Sequence, residues 1–121
     1  MKVTFFGNRN APDSVKDSLK SELINLIENF SADRFYVGNQ GAFDRIVLAT
    51  LRELKKKYSH IVYYVVLAYI NRTEGYLYYD CNKTIFPDVL TKTPLRFAIT
   101  RRNQYMIDKA QYVITYMNNS S

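Results

Sequence analysis

The sequence predicts an α/β protein built on a mostly parallel sheet. Two observations carry this expectation. Short runs rich in β-formers alternate along the 121 residues with longer stretches whose apolar side chains recur every three or four positions. That order implies strand–helix–strand units with right-handed crossovers. The longest continuous apolar run, Ile61 to Ala68 (IVYYVVLA), reads as a strand covered on both faces, which is where parallel strands lie.

Taken in order, Lys2 to Phe6 is a first strand, closed by Gly7-Asn8-Arg9-Asn10. Pro12 suits the first turn of a helix, where its missing N–H costs nothing, and Val15, Leu19, Leu23, Leu26, Ile27 and Phe30 form that helix's apolar stripe. Arg34 to Val37 is a second strand, ended by Gly38-Asn39-Gln40-Gly41. Phe43, Ile46, Val47, Leu51 and Leu54 mark a second helix, whose closing Lys55-Lys56-Lys57 complements the negative end of the helix dipole. The run 61–68 is the third strand. Polar, tyrosine-rich residues 69–93 then break the rhythm and are expected to form an irregular, lid-like loop. Tyr69, Tyr76, Tyr78 and Tyr79, with Arg72 among them, could stack on a nucleobase, although tyrosines packed over a sheet edge are the plainer reading. Pro94, Leu95, Ala98, Ile99, Met106, Ile107 and Ala110 restore helical spacing, and Tyr112 to Met117 is the last strand. No repeat, low-complexity tract or linker divides the chain, so residues 1–121 are expected to form a single domain.

Composition removes several function classes. Seventeen Lys+Arg against eleven Asp+Glu give a net charge of +6, yet the basic residues are scattered rather than gathered into a stripe, so nucleic acid is not a favoured partner. No apolar run approaches the ~18 residues of a membrane span, and the N-terminal apolar stretch is too short for a signal peptide. The single cysteine, Cys81, excludes an internal disulfide and fits a reducing compartment. We therefore expect a cytoplasmic protein with no membrane partner. One histidine, His60, beside one cysteine leaves no His/Cys zinc cluster, and neither a metal nor a cofactor is expected. His60 reads as a residue opening a strand, Cys81 as an inert thiol.

In open α/β sheets, ligands bind beyond the carboxyl ends of the strands, and those ends are rich here in small and polar residues. Gly38-Asn39-Gln40-Gly41-Ala42-Phe43-Asp44 joins a strand to a helix N-terminus, where free N–H groups and the dipole favour an anion. The glycines would admit a phosphate, and Asp44 could accept bonds from ribose hydroxyls. A tight turn with Asp44 as a helix cap would give the same pattern. The spacing is neither G-x-G-x-x-G nor a Walker A loop. On the third helix, Arg102 follows Ile99 by three and precedes Met106 by four, which places it on the apolar stripe, whereas Arg101, about 100° away, points toward solvent. A guanidinium on a core-facing stripe needs an anion or several acceptors. Asp44, the sheet's carboxyl edge and a bound phosphate are the candidates, unless Arg102 reaches out to solvent. Asn103 shares that face and could read a base or ribose edge.

Three segments resemble the YpsA-like branch of the SLOG superfamily. Thr4-Phe5-Phe6-Gly7-Asn8-Arg9 is similar to its T-F-x-G-H-R start. Phe35-Tyr36-Val37-Gly38-Asn39-Gln40-Gly41-Ala42-Phe43-Asp44 is similar to its strand followed by G-x-x-G-x-D. Arg102-Asn103-Gln104-Tyr105-Met106 is similar to its R-N-x-x-M. The resemblance implies a Rossmann-like three-layer sandwich, helices on both faces, and a pocket for nucleotides or nucleotide-derived ligands. Relatives have sheet order 3-2-1-4-5; here the expected order is 3-2-1-4, because the chain stops at Asn118-Asn119-Ser120-Ser121, where the family's Gly-rich loop, a helix and a fifth strand would follow. In LOG enzymes of the superfamily that loop carries the catalytic glutamate, and the family's histidine is Asn8 here. Strand 112–117 then becomes an exposed parallel edge, a pairing template, which leaves three readings open: a C-terminally truncated domain, a homo-oligomer paired through that edge, which is the expected partner, or an edge closed by a neighbouring loop.

These observations lead to a nucleotide-binding or sensing module without catalytic residues. Its expected ligand-binding residues are Gly7, Asn8, Arg9, Gly38, Asn39, Gln40, Gly41, Asp44, Arg102, Asn103 and Asn118. The alternatives are a LOG-like nucleoside-monophosphate phosphoribohydrolase, and a protein- or DNA-interaction factor that uses the fold without a small ligand.

Overall fold

Five strands lie among the residues that the computed structural model describes, 1–68 and 83–117: β1 (Lys2–Gly7), β2 (Arg34–Val37), β3 (Val62–Val66), β4 (Lys83–Ile85) and β5 (Tyr112–Tyr116). They form one all-parallel sheet of order β4-β3-β2-β1-β5. Among the same residues, α1 (Val15–Asn29) joins β1 to β2, α2 (Gly41–Lys57) joins β2 to β3, and a 3-10 helix at Asp88–Lys92 followed by α3 (Leu95–Lys109) joins β4 to β5. None of these helices is long and apolar enough to cross a membrane.

Side chains alternate across the pleat and build two unequal cores. On one face Val3 and Phe5 of β1, Phe35 and Val37 of β2 and Tyr63 of β3 meet Leu19, Leu23, Leu26 and Ile27 of α1 and Phe43, Val47, Leu51 and Leu54 of α2. On the other, Tyr36 and Val66 meet Met106 of α3, with Phe6, Tyr64, Ile85 and Tyr105 packed around them. Each fully buried large side chain contributes roughly 1.5–3 kcal/mol, and among the described residues more of them lie in the α1/α2 layer, while a small cluster of Ala68, Leu90 and Ala98 adds to the α3 side. The one polar intruder between β1 and β2, Thr4, is satisfied across the pair by donating its hydroxyl to the Tyr36 carbonyl (2.9 Å).

The four expected strands stand in the expected order, and the sheet has one strand more. Lys83–Ile85 lies within the segment expected to be irregular, yet it extends the sheet beside β3, pairing Tyr64 with Lys83 and Val66 with Ile85. Three residues are too few to show alternation; the strand exists because β3 offers an edge, and the Leu67 N–H seals it by donating to the Ile85 carbonyl (2.8 Å). The same segment also holds the 3-10 helix Asp88–Lys92; the rest of the expected lid, residues 69–82 with its tyrosines and Cys81, lies outside the described residues. Pro12 also stands earlier than expected. Val15 and Lys16 donate to the carbonyls of Pro12 and Asp13 (3.1 and 3.0 Å), a tight turn that precedes α1 rather than its first turn. Phe30, expected on the stripe of α1, lies past the helix end and is exposed. β5 is an edge strand, with Tyr112, Val113 and Thr115 open to solvent.

Candidate functional site at the β1/β5 crevice

The chain leaves β1 toward β2 on one side and later arrives at β5 on the other. The carboxyl ends of β1 and β5 therefore flank the point where the winding reverses, the place where open α/β sheets bind ligands. A cavity of about 300 Å³ opens there. Its walls are the end of β1 with Asn8 and Arg9, the start of α2 with Gln40 and Asp44, one face of α3 with Ile99, Arg102, Asn103 and Met106, and Met117 after β5.

Seven expected residues, Gly7, Asn8, Arg9, Gln40, Asp44, Arg102 and Asn103, line this cavity. Gly38 and Asn39 lie beside it, against Arg102. Gly41 packs on Arg9 instead, and Asn118 lies outside the described residues. Phe6, Ile99, Met106 and Met117 form an apolar wall that motif reasoning passed over. The stripe of α3 did contain the signal, since Ile99 and Met106 bracket Arg102 at helical spacing.

Arg102 is only 3% exposed. Its Nη1 donates to the Val66 carbonyl at the end of β3 (3.1 Å) and to Asn39 Oδ1 (3.3 Å), and its Nε donates to Asn103 Oδ1 (2.9 Å). Helical spacing correctly buried it and correctly left Arg101 exposed. What holds the guanidinium includes a backbone carbonyl and two amides, so the Oδ1 atoms of Asn39 and Asn103 position Arg102. A Cβ on Gly38 would stand 2.8 Å from both Arg102 Nη1 and Asp44 Oδ2; glycine there makes room for this pair of charges to approach.

Asp44, in the first turn of α2, is 8% exposed. Its Oδ2 accepts the N–H of Gln40, the N-cap residue (2.9 Å), and so satisfies a backbone donor where the helix begins. Burial pushes its carboxyl above the ordinary value of 3.8, outweighing the Gln40 N–H and the charge of Arg102, which both pull it down.

The glycines at the site admit close approaches of the protein's own atoms. Gly41 has φ +85°, and a Cβ there would stand 2.7 Å from Arg9 Cα, because the chain after β1 crosses over the start of α2. The Ala42 N–H donates to the Arg9 carbonyl (2.6 Å). Gly7 likewise lies against the Phe43 ring, which leaves no room for a Cβ. At the expected phosphate seat, the protein's own carbonyl and carboxylate thus occupy two of the N–H groups.

A second hollow, about 440 Å³, lies between the start of α1 and α2. Its Asp13 and Arg45 are exposed and its Lys16 pairs with Glu53 (3.1 Å), so no buried polar group faces it. Among the described residues no group of three or more His, Cys, Asp or Glu side chains could hold a metal ion. Neither a known family model nor a curated protein matches the chain.

Proposed function

We propose that the β1/β5 crevice binds a nucleotide or nucleotide-derived ligand, and that the protein works as a binding or sensing module. One observation carries this reading: a cavity at the winding reversal joins an exposed arginine, Arg9, a buried arginine, Arg102, and an apolar wall of Phe6, Ile99, Met106 and Met117. Arg9 supplies mobile positive charge for a phosphate at the mouth, while Arg102 sets a fixed positive field deeper in. The apolar wall suits the face of a nucleobase, with the methionines adapting to its outline. The cavity is at the small end of the range for ligand sites, which favours a mononucleotide over a dinucleotide. The resemblance of 4–9, 35–44 and 102–106 to SLOG motifs points the same way.

Thermal unfolding with ribonucleoside mono- and diphosphates tests the reading. A ligand at about 100 times its Kd stabilises by about 2.7 kcal/mol, a rise of roughly 10 °C for a domain of this size. Arg9→Ala should leave the unliganded Tm within about 1 °C, since its side chain is exposed, and should remove most of the ligand-induced rise. If no nucleotide raises the Tm of the unaltered protein, the reading fails. Recovery of intact ligand distinguishes a binder from a phosphoribohydrolase, which would release free base.

A further inference from the structure

The start of a helix in an α/β crevice ordinarily seats a phosphate, and here the start of α2 is built against one. The Ala42 N–H is spent on the Arg9 carbonyl (2.6 Å) and the Gln40 N–H on Asp44 Oδ2 (2.9 Å). Asp44 also places a carboxylate where the anion would sit, in surroundings too dry to screen like-charge repulsion. Its other oxygen, Oδ1, accepts no hydrogen bond from the described residues, although the residue is only 8% exposed. No fully buried side-chain oxygen or nitrogen among those residues lacks a partner. Oδ1 is therefore open to the cavity that Asp44 lines. A ligand that fills the cavity strips water from this oxygen, and the carboxylate then requires a hydrogen-bond donor from that ligand.

We infer that the first turn of α2 reads a sugar hydroxyl rather than a phosphate, with Asp44 Oδ1 as acceptor, so that the site selects ribonucleotides over their deoxy counterparts. The inference rests on the nucleotide reading above and fixes the ligand's direction within it. The phosphate lies toward the Arg9 side chain at the mouth and the base against the Ile99–Met106 wall. The group spanning the two is the sugar, whose hydroxyls are neutral donors. A neutral donor meets the demand of Oδ1 without adding negative charge beside it. Discrimination follows from the asymmetry of buried polar groups: a deoxy sugar leaves the carboxylate desolvated and without a donor, a larger penalty than the net gain of an ordinary hydrogen bond.

The experiment measures affinities of the four ribonucleoside 5′-monophosphates, their 2′-deoxy and 3′-deoxy counterparts, and inorganic phosphate. The unaltered chain, Asp44→Asn and Asp44→Ser are compared; both replacements keep an oxygen for the Gln40 N–H, and circular dichroism confirms that they fold. The expected result is a preference of about 10- to 100-fold for ribonucleotides over at least one deoxy series, shrinking to within a few-fold in both variants. Equal affinity of ribo and deoxy ligands for the unaltered chain overturns the inference and leaves the nucleotide reading standing. So does tighter binding of all nucleotides and inorganic phosphate to Asp44→Asn, which would make the start of α2 a phosphate seat after all. Dependence on Asp44 that is confined to amino-bearing bases and spares uridine monophosphate would also overturn it, because Oδ1 would then be reading the base. If no nucleotide binds the unaltered chain, the nucleotide reading itself falls and takes the inference with it.

Discussion

Arg102 joins three parts of the molecule through one guanidinium: the end of β3 at Val66, the β2–α2 turn at Asn39, and its own helix at Asn103. From sequence alone, Arg102→Ala would be expected to abolish ligand binding and spare the fold. With these bonds in view, the substitution should cost about 2–4 kcal/mol by leaving buried acceptors unpaired, whereas Arg101→Ala, on the exposed side of α3, should change stability by less than about 0.5 kcal/mol. Urea unfolding of the two variants decides the matter, and equal effects would refute the structural role of Arg102. Asp44 has the opposite sign. Its carboxyl titrates higher in the folded chain than the ordinary 3.8 because burial disfavours the charge. The folded state therefore holds that proton more tightly than the unfolded state. This contribution to stability is fully present below 3.8 and is lost as pH rises through the folded value. Asp44→Asn should accordingly raise the unliganded stability near neutral pH by about 0.5–2 kcal/mol, the usual exchange of function for stability. The gain should disappear in acid, where Asp44 is already neutral. Melting curves from about pH 3 to about pH 7 test it, and a variant less stable at neutral pH would show that the Gln40 bond and Arg102 outweigh burial.

At the scale of elements, the crossing of the β1–α1 connection over α2 sets the geometry of the site. Gly41 must adopt φ +85° and admit the Arg9 backbone, so Gly41→Ala combines left-handed strain with a backbone clash that no side chain can relieve. It should cost about 2–3 kcal/mol, and a loss under about 0.5 kcal/mol in denaturant titration would mean that the crossing relaxes easily. The sequence revealed that Gly41 was special but not why, since a glycine that admits a phosphate and one that admits a neighbouring chain look alike. The long elements were legible because α1 and α2 each place four or more apolar residues on one stripe. β4 was not, because its three residues become a strand only by pairing with β3. In the site, the burial of Arg102 was legible from helical spacing, and the place of Asp44 in the first turn of α2 from the strand–glycine–helix order. The duty of Asn39 as a positioning residue was not, since it depends on a contact across 63 positions of sequence between Arg102 and Asn39.

For the whole molecule, the two layers differ in depth. The α1/α2 layer buries long stripes against β1, β2 and β3, whereas α3 buries Ala98, Arg102 and Met106 and leaves Leu95, Phe97 and Ile107 largely exposed. Regions with few buried apolar contacts open at lower free energy than the global transition, so α3 and the edge strand β5 should open before the rest. The cavity straddles this division, taking Arg9 and Asp44 from the well-packed half and Arg102, Asn103, Met106 and Met117 from the other. A ligand that touches both halves binds only the closed arrangement and stabilises it by mass action. Native-state hydrogen exchange should show the amides of β1–β3, α1 and α2 as slowest, with those of α3 and the solvent side of β5 faster. Saturating nucleotide should then slow α3 by a larger factor than α1. Uniform protection without ligand would show that the layers open together. A ligand effect equal in α1 and α3 would show that the ligand only raises global stability and does not bridge the two halves.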